Sequence, residues 1–261
     1  MISYKNLVET LAKEETRLSQ SFYFPKISST NEDTYKRGNL AGASGTLIVA
    51  DSQSKGRGRL GRTWESPAGK GIYFSILLRP KLSPANAALL SLAAGLGVGS
   101  ALRRLGLASV VIKWPNDILL EKKKAGGILS EMSQKGNELN FVVVGVGLNV
   151  AQQTEDFSGE LAGKATSLDL SSGKIWDRGE VLKAVVPSLL DEVDQLVAKG
   201  PQTLIQRWEE GSGMVGLQVK ALQGGSEIEG KVVGLNPQGQ LKIQKADGSL
   251  VQLVADDTTL V

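Results

Sequence analysis

The chain contains no cysteine and no histidine. Without cysteine there is no disulfide, no thiolate nucleophile and no zinc–thiolate site. Without histidine, Ser–His–Asp hydrolysis and the commonest general base also fall away. Any catalysis must run on lysine, arginine, carboxylates, hydroxyls and backbone amides. Phosphoryl and adenylyl transfers tolerate that restriction, because they depend mainly on positioning and charge stabilisation. Charge of one sign is scarce too: the net charge is +3 over 261 residues, which excludes the general polyelectrolyte field of a DNA-coating protein. The N-terminal "MISYKNLVETLAKEETRLSQ" lacks a signal-peptide apolar core. The one long apolar run, residues 85–102, is dominated by Ala, Gly and Ser. It reads as a packed soluble helix rather than a membrane span, with Ser83 as cap, Pro84 in the first turn, and Arg103 and Arg104 at the cation-favouring end. A soluble, cytoplasmic protein is expected.

What is present is an ordinary globular composition, 41% hydrophobic and 22% charged, long enough for one large domain or a large and a small one. Helices are predicted over 5–18 and from Thr30 to Arg37. Strands are predicted at "GTLIVAD" (45–51), "GIYFSILLRP" (71–80), "VVIKW" (110–114), "DILL" (117–120), "GGILSEM" (126–132) and "LNFVVVGVGLNV" (139–150). With an 84–105 helix as almost the sole interruption, the pattern is α+β, a sheet packed by helices, rather than doubly wound. Residues 151–177 read as a surface loop. Asp177 and Glu180 then open a helix with Leu182, Val185, Val186, Leu189, Val193 and Leu196 on one face, in which Pro187 would make a kink or a restart. From about residue 214, short strands alternate with Gly224-Gly225, Asn236-Pro237-Gln238-Gly239 and Asp247-Gly248, the texture of a small β-barrel or sandwich. The boundary falls near Gly211–Gly213, giving domains 1–212 and 213–261.

Four stretches carry possible chemistry. In "DSQSKGRGRLGRTW" (51–64), glycines let backbone amides turn toward an anion while guanidinium groups offer bidentate hydrogen bonds. Such a loop is either a lid over a small anion or a solvated basic tether of the RNA-binding kind. Its direct emergence from one strand and return into another favours the lid, open until ligand contacts offset the cost of ordering it. In "VIKWPNDILL", Lys113 and Asp117 bracket a turn in which Trp114 offers a flat apolar wall, although taken alone a structural β-turn is the preferred account of Pro-Asn-Asp. Of Lys122, Lys123 and Lys124, only Lys124, beside Gly126 and Gly127, is expected to point into a site. Gly145 and Gly147 weaken a strand unless something approaches the backbone, either a packed aromatic neighbour or a flat ligand ring.

"SSTN" (28–31), "GRGRLGRTW", "KWPND", "KKAGGILSE" and "GVGLN" occur in the order and spacing of the biotin–protein ligases, which the chain resembles from about residue 25 onward. The resemblance implies a mixed sheet packed by helices, like class II aminoacyl-tRNA synthetases, plus a C-terminal SH3-like β-barrel. It implies condensation of biotin with ATP and Mg²⁺ into biotinyl-5′-AMP, with release of pyrophosphate, then transfer of biotin to a lysine of a biotin carboxyl carrier protein or biotinyl domain. Ser29, Thr30, Asn31 and Gln53 would bind biotin, with Gly56, Arg57 and Gly58 closing over it and Gly127 and Gly147 lining its pocket. Arg59, Arg62, Trp64, Asn116 and Asn149 would serve the nucleotide. Lys124 would meet both the biotin carboxylate and the adenylate. Arg57, Arg59 and Lys124 would be catalytic together with Asp117, which would accept a proton from, or orient, the incoming lysine. The chain departs from the family pattern in two places. Fewer than thirty residues precede "SSTN", so a DNA-binding winged helix, and with it DNA binding, is not expected. Val261 stands where many relatives carry a terminal arginine that reaches the nucleotide. The resemblance is compatible with a monomer or a homodimer, and no membrane partner is expected. Two rival readings are a lipoate ligase or octanoyltransferase of the same fold, whose Arg-Arg-x-Ser-Gly-Gly-Gly loop is absent, and a non-catalytic biotin- or nucleic-acid-binding module.

Overall fold

The computed structural model describes residues 4–223, 226–254 and 258–260. In chain order it runs α1 (Tyr4–Glu14), β1 (Gln20–Phe24), α2 (Thr30–Asn39), β2 (Thr46–Ala50), β3 (Gly71–Leu78), α3 (Pro84–Ala87) and α4 (Leu90–Arg104). It continues with β4 (Val110–Lys113), β5 (Asp117–Leu120), β6 (Lys123–Lys135), β7 (Glu138–Asn149), α5 (Leu168–Ser172), α6 (Arg178–Lys199) and α7 (Pro201–Gly211). The last five strands are β8 (Gln218–Gln223), β9 (Ser226–Leu235), β10 (Leu241–Gln244), β11 (Leu250–Leu253) and β12 (Thr258–Leu260).

The first seven strands form one sheet in the order β1-β2-β3-β7-β6-β5-β4. Only β1 and β2 pair in parallel; the remaining neighbours are antiparallel. The expected mixed α+β sheet is therefore what forms. Strands β2 and β3 are buried at every position, because the main core packs on one face and α2 lies on the other, where Ser75 meets Thr30 and Asn31 and Leu77 joins Phe141 and Tyr35. A second, five-stranded antiparallel sheet has the order β11-β10-β9-β8-β12. Turns form at Asn236–Gly239, where Gly239 N donates to Asn236 O, and at Asp247-Gly248. The predicted Gly224-Gly225 turn and Val261 lie outside the described residues.

The apolar stretch from Pro84 to Arg104 has the length and composition of a membrane span, yet 72% of its most apolar window is buried inside the fold. It packs as a core helix. Ser83 caps it as expected, accepting from Asn86 N, but the predicted single helix is broken into α3 and α4 around Ala88 and Leu89. Helix α6 packs against α4 and buries Leu182, Val185 and Leu189 in the shared core, each side chain contributing roughly 1.5–3 kcal/mol by leaving water. Helix α6 starts at the predicted Asp177 cap and runs 22 residues straight through Pro187 without a restart; Arg17 donates to the Pro187 carbonyl.

The expected surface loop 151–177 is largely a built part of the fold. Ser167 caps the short helix α5 and, with Thr166 and Leu168, is buried, because the segment pairs its backbone with Lys124 rather than lying in solvent. Elements β1 and α7 were not predicted. Helix α7 buries only Leu204 and Trp208, too few for a periodic signal. Strand β6 extends three residues beyond the predicted span at each end.

Candidate active site

Residues 53–66 fold as a narrow hairpin, not as an open loop. Gln53 pairs with Ser66 and Arg57 with Thr63; Trp64 N donates to Gly56 O at 3.0 Å, and Gly58 N to Arg62 O at 2.7 Å. The tip, Arg59–Gly61, carries Leu60 in the left-handed region at φ 54°. Side chains lock the base: Thr30 N and Oγ1 donate to Gln53 Oε1, Gln53 Nε2 donates to Ser66 Oγ, and Ser66 Oγ to Trp64 O. The predicted open lid is thus pre-formed, because these bonds satisfy the polar groups of its base at a modest entropy cost.

The hairpin covers a cavity of about 500 Å³, within the range that holds a small ligand. Its wall is made by the α2 N-terminus (Ser29, Thr30, Asn31), Gln53, Arg57–Arg59, Arg62, Trp64, Asn116, Asp117, Lys124, Gly127, Gly147 and Asn149. Of the predicted site residues, only Gly56 does not line it; that glycine supports the hairpin, where a Cβ would collide with the Trp64 carbonyl. Ser29 is the N-cap of α2, its side chain accepting from Glu32 N.

Lys124 Nζ lies 2.6 Å from Asp117 Oδ1, with Lys113 Nζ 3.8 Å from the other carboxylate oxygen. Strand pairing brings Asp117 opposite Gly127, so the turn and the lysine strand meet at one point. Lys122 and Lys123 are exposed, as expected. Lys124 Nζ also sits 5.7 Å from the centre of the Trp64 ring. Arg59 donates to Asn116 Oδ1 at 3.0 Å, and Asn116 is itself fixed on Ile128. Arg57 pairs with Glu131 at 3.0 Å.

The strand glycines have protein neighbours. Trp64 lies over Gly147 and Gly127: an ideal Cβ on Gly147 would be 2.5 Å from the indole, and one on Gly127 3.3 Å. Gly145 makes room for the Asn31 amide in the same way. The indole N–H of Trp64 is buried and has no hydrogen-bond partner among the described residues. Trp114 lies elsewhere than its sequence suggests. It is not a wall of the site but a core residue, 3% exposed, because its indole N–H is satisfied by Gly239 O at 2.9 Å and its carbonyl accepts from Thr258 Oγ1 at 3.0 Å.

Several lining residues carried no motif. Asp156, Phe157, Leu161, Lys164 and Ala165 form a further wall, fastened by Lys70 Nζ on Asp156 Oδ2 at 2.9 Å. The Asp156 carboxyl is held below its ordinary range by the Gln153 backbone N–H and then by the Lys70 ammonium. Buried Gln152 donates to Asn149 Oδ1 at 3.2 Å and to Tyr73 Oη at 3.5 Å, and burial pushes the Tyr73 phenol up. Ser75 was legible in principle: it is a small polar residue set among the apolar side chains of β3, and its hydroxyl meets Thr30 and Asn31. Together the groups give a half-enclosed space with a cationic rim, in which the Lys124 ammonium is paired with Asp117. That suits joining two anions whose own atoms do the bonding.

Residues 23–149 match the biotin/lipoate A/B protein ligase family, and residues 215–255 the biotin protein ligase C terminal domain. The bifunctional ligase/repressor BirA of Bacillus subtilis is 32% identical over 90% of this chain and 73% of that protein. A biotin–[acetyl-CoA-carboxylase] ligase of Mycobacterium tuberculosis is 33% identical over 88% of this chain and 85% of its own length. Among solved structures, the biotin protein ligase from Aquifex aeolicus in complex with biotin and ATP superposes with a TM-score of 0.76 at 32% identity, over 94% of this chain and 99% of that one.

Proposed function

The chain belongs to the biotin/lipoate A/B protein ligase family, and from that premise we propose that its cavity joins biotin to ATP and hands the biotinyl group to a lysine of an acceptor protein. The activity is that of a biotin–protein ligase, with biotin and ATP as its small-molecule substrates. The acceptor we propose is a biotin carboxyl carrier protein or a biotinyl domain.

One observation carries the assignment of residues. The basic hairpin, Lys124 and Asp117 converge on a single cavity floored by Gly127 and Gly147. A biotin carboxylate and a triphosphate repel each other, and two unit charges 4 Å apart cost about 4 kcal/mol at an effective dielectric near 20. Lys124, Arg57 and Arg59 offset that repulsion. The carboxylate oxygen can then attack the α-phosphate in line, forming the mixed anhydride as pyrophosphate leaves. Ser29, Thr30, Asn31 and Gln53 offer hydroxyls and amides to the ureido ring, with Gly56 and Gly58 shaping the hairpin that covers it. Arg62, Trp64, Asn116 and Asn149 serve the nucleotide side. Asp117, held between two ammonium groups, is placed to orient the acceptor amine when it displaces AMP from the biotinyl carbonyl. Among the described residues no group of three acidic side chains gathers to hold a metal, so those residues offer no cage, and magnesium would come in on the ATP phosphates. We further propose a catalytic domain over 1–212 and an SH3-like barrel over 213–261.

The test incubates the pure protein with biotin, Mg-ATP and a biotinyl-domain acceptor. Mass spectrometry should find one biotinyl group on lysine, and labelled pyrophosphate should exchange into ATP only when biotin is present. Exchange that proceeds equally well without biotin, or with lipoate in its place, overturns the reading.

A further inference from the structure

We propose that Glu131 is a positioning residue for biotin activation, holding the basic hairpin in register with the N-terminus of α2. Glu131 lies on β6, two residues beyond Leu129 of the cavity wall, with 22% of its side chain exposed. Its two carboxylate oxygens are divided between two elements. Oε1 pairs with Arg57 of the hairpin at 3.0 Å, and Oε2 accepts from Asn31 Nδ2 of α2 at 3.0 Å.

These contacts close a ring. From Asn31 the path runs to Ser75 Oγ at 2.6 Å, and from Ser75 to Thr30 Oγ1 at 2.8 Å. Thr30 donates to Gln53 Oε1, Gln53 to Ser66 Oγ, and Ser66 to the Trp64 carbonyl. Trp64 N then bonds Gly56 O, one residue from Arg57. The first arm of the hairpin is thereby tied to α2 at two points, Gln53 to Thr30 directly and Arg57 to Asn31 through Glu131. The Gln53 side is held by neutral hydrogen bonds, while the Glu131 side rests on one ion pair to a half-exposed guanidinium. A neutral partner at 131 would still accept from Asn31 but would release Arg57. The Arg57 side chain would then have to be ordered by the ligand, and that ordering cost is subtracted from binding.

The inference rests on the reading of the cavity as a biotin-activating site. The closing experiment uses the full-length Glu131→Gln protein in biotin-dependent pyrophosphate exchange and in a biotinyl-AMP release assay. The expected result is a biotin KM and an adenylate release rate each raised about three- to tenfold, the scale of one partly exposed charge-assisted bond. Turnover at saturating biotin should fall less than it does in Arg57→Ala, since Glu131 touches no reacting atom and acts only by placing the Arg57 guanidinium. In an Arg57→Ala background the same substitution should add nothing, because the effect passes through Arg57. Should Glu131→Gln melt below the assay temperature, Glu131→Asp carries the same expectations, its shorter arm being unable to span Asn31 and Arg57 together. Unchanged KM and release in a folded variant overturn the proposal, and so does an equal effect with and without Arg57. A wild-type protein that gives no biotin-dependent exchange overturns the reading of the cavity instead.

Discussion

Lys124 shows how one residue acquires a role that its two neighbours lack. Lys122 and Lys123 are exposed, whereas the Lys124 backbone is gripped on both sides by Lys164 O and Thr166 N. That pairing turns its ammonium toward Asp117 and the Trp64 face. A third of the side chain stays exposed, so its resting ion pair contributes little to stability, roughly 0–1 kcal/mol. The role we propose for it is instead toward a transition state that gathers negative charge. Lys124→Ala should therefore lower biotin-dependent pyrophosphate exchange about a hundredfold or more, while the melting temperature moves by no more than about 4 °C. Near-wild-type exchange in that variant would remove Lys124 from the site.

At the scale of elements, the 151–165 wall depends on a fastening whose pH response has a definite sign. Asp156 is lowered in the folded chain by the Gln153 N–H and Lys70. A carboxyl lowered on folding stabilises the protein above its ordinary value, near 3.9, and loses that contribution as pH falls through the lowered folded value. The difference in melting temperature between wild type and Asp156→Asn should stay constant from about pH 5 to 8 and shrink toward zero below about pH 4. A difference that grows in acid would contradict the assigned contacts. This wall is also the part of the site that the sequence hid. Strands such as Gly71–Leu78 and Glu138–Asn149 announce themselves by apolar runs and alternation, and the glycine- and lysine-bearing motifs mark the other walls. Residues 154–165 have no period, and their place follows from Lys70 and Lys124, remote in sequence. For the same reason β1, five residues at a sheet edge, and the polar Glu131 look unexceptional until their partners are known.

For the whole molecule, the two sheets share one core. Buried Met214, Val219, Val232 and Ile243 belong to the same apolar cluster as Leu89, Leu90 and Trp208. The Trp114 indole bonds Gly239 across the junction. The second sheet is thus fused to the turn that carries Asn116 and Asp117. Calorimetry should show one unfolding transition for the full chain. Trp114→Phe, which leaves a buried carbonyl without its donor, should cost about 1–3 kcal/mol in denaturant unfolding. Two well-separated transitions, with only the smaller one shifted by the substitution, would show that the sheets fold independently.

The position of Trp64 over Gly127 and Gly147 also makes the site optically readable. Trp114 and Trp208 are sealed in the core, out of a ligand's reach, and Trp176 bonds Ser172. Emission that changes when biotin and ATP enter should come chiefly from Trp64 and should vanish in Trp64→Phe, giving the chain a built-in reporter of occupancy without any attached dye.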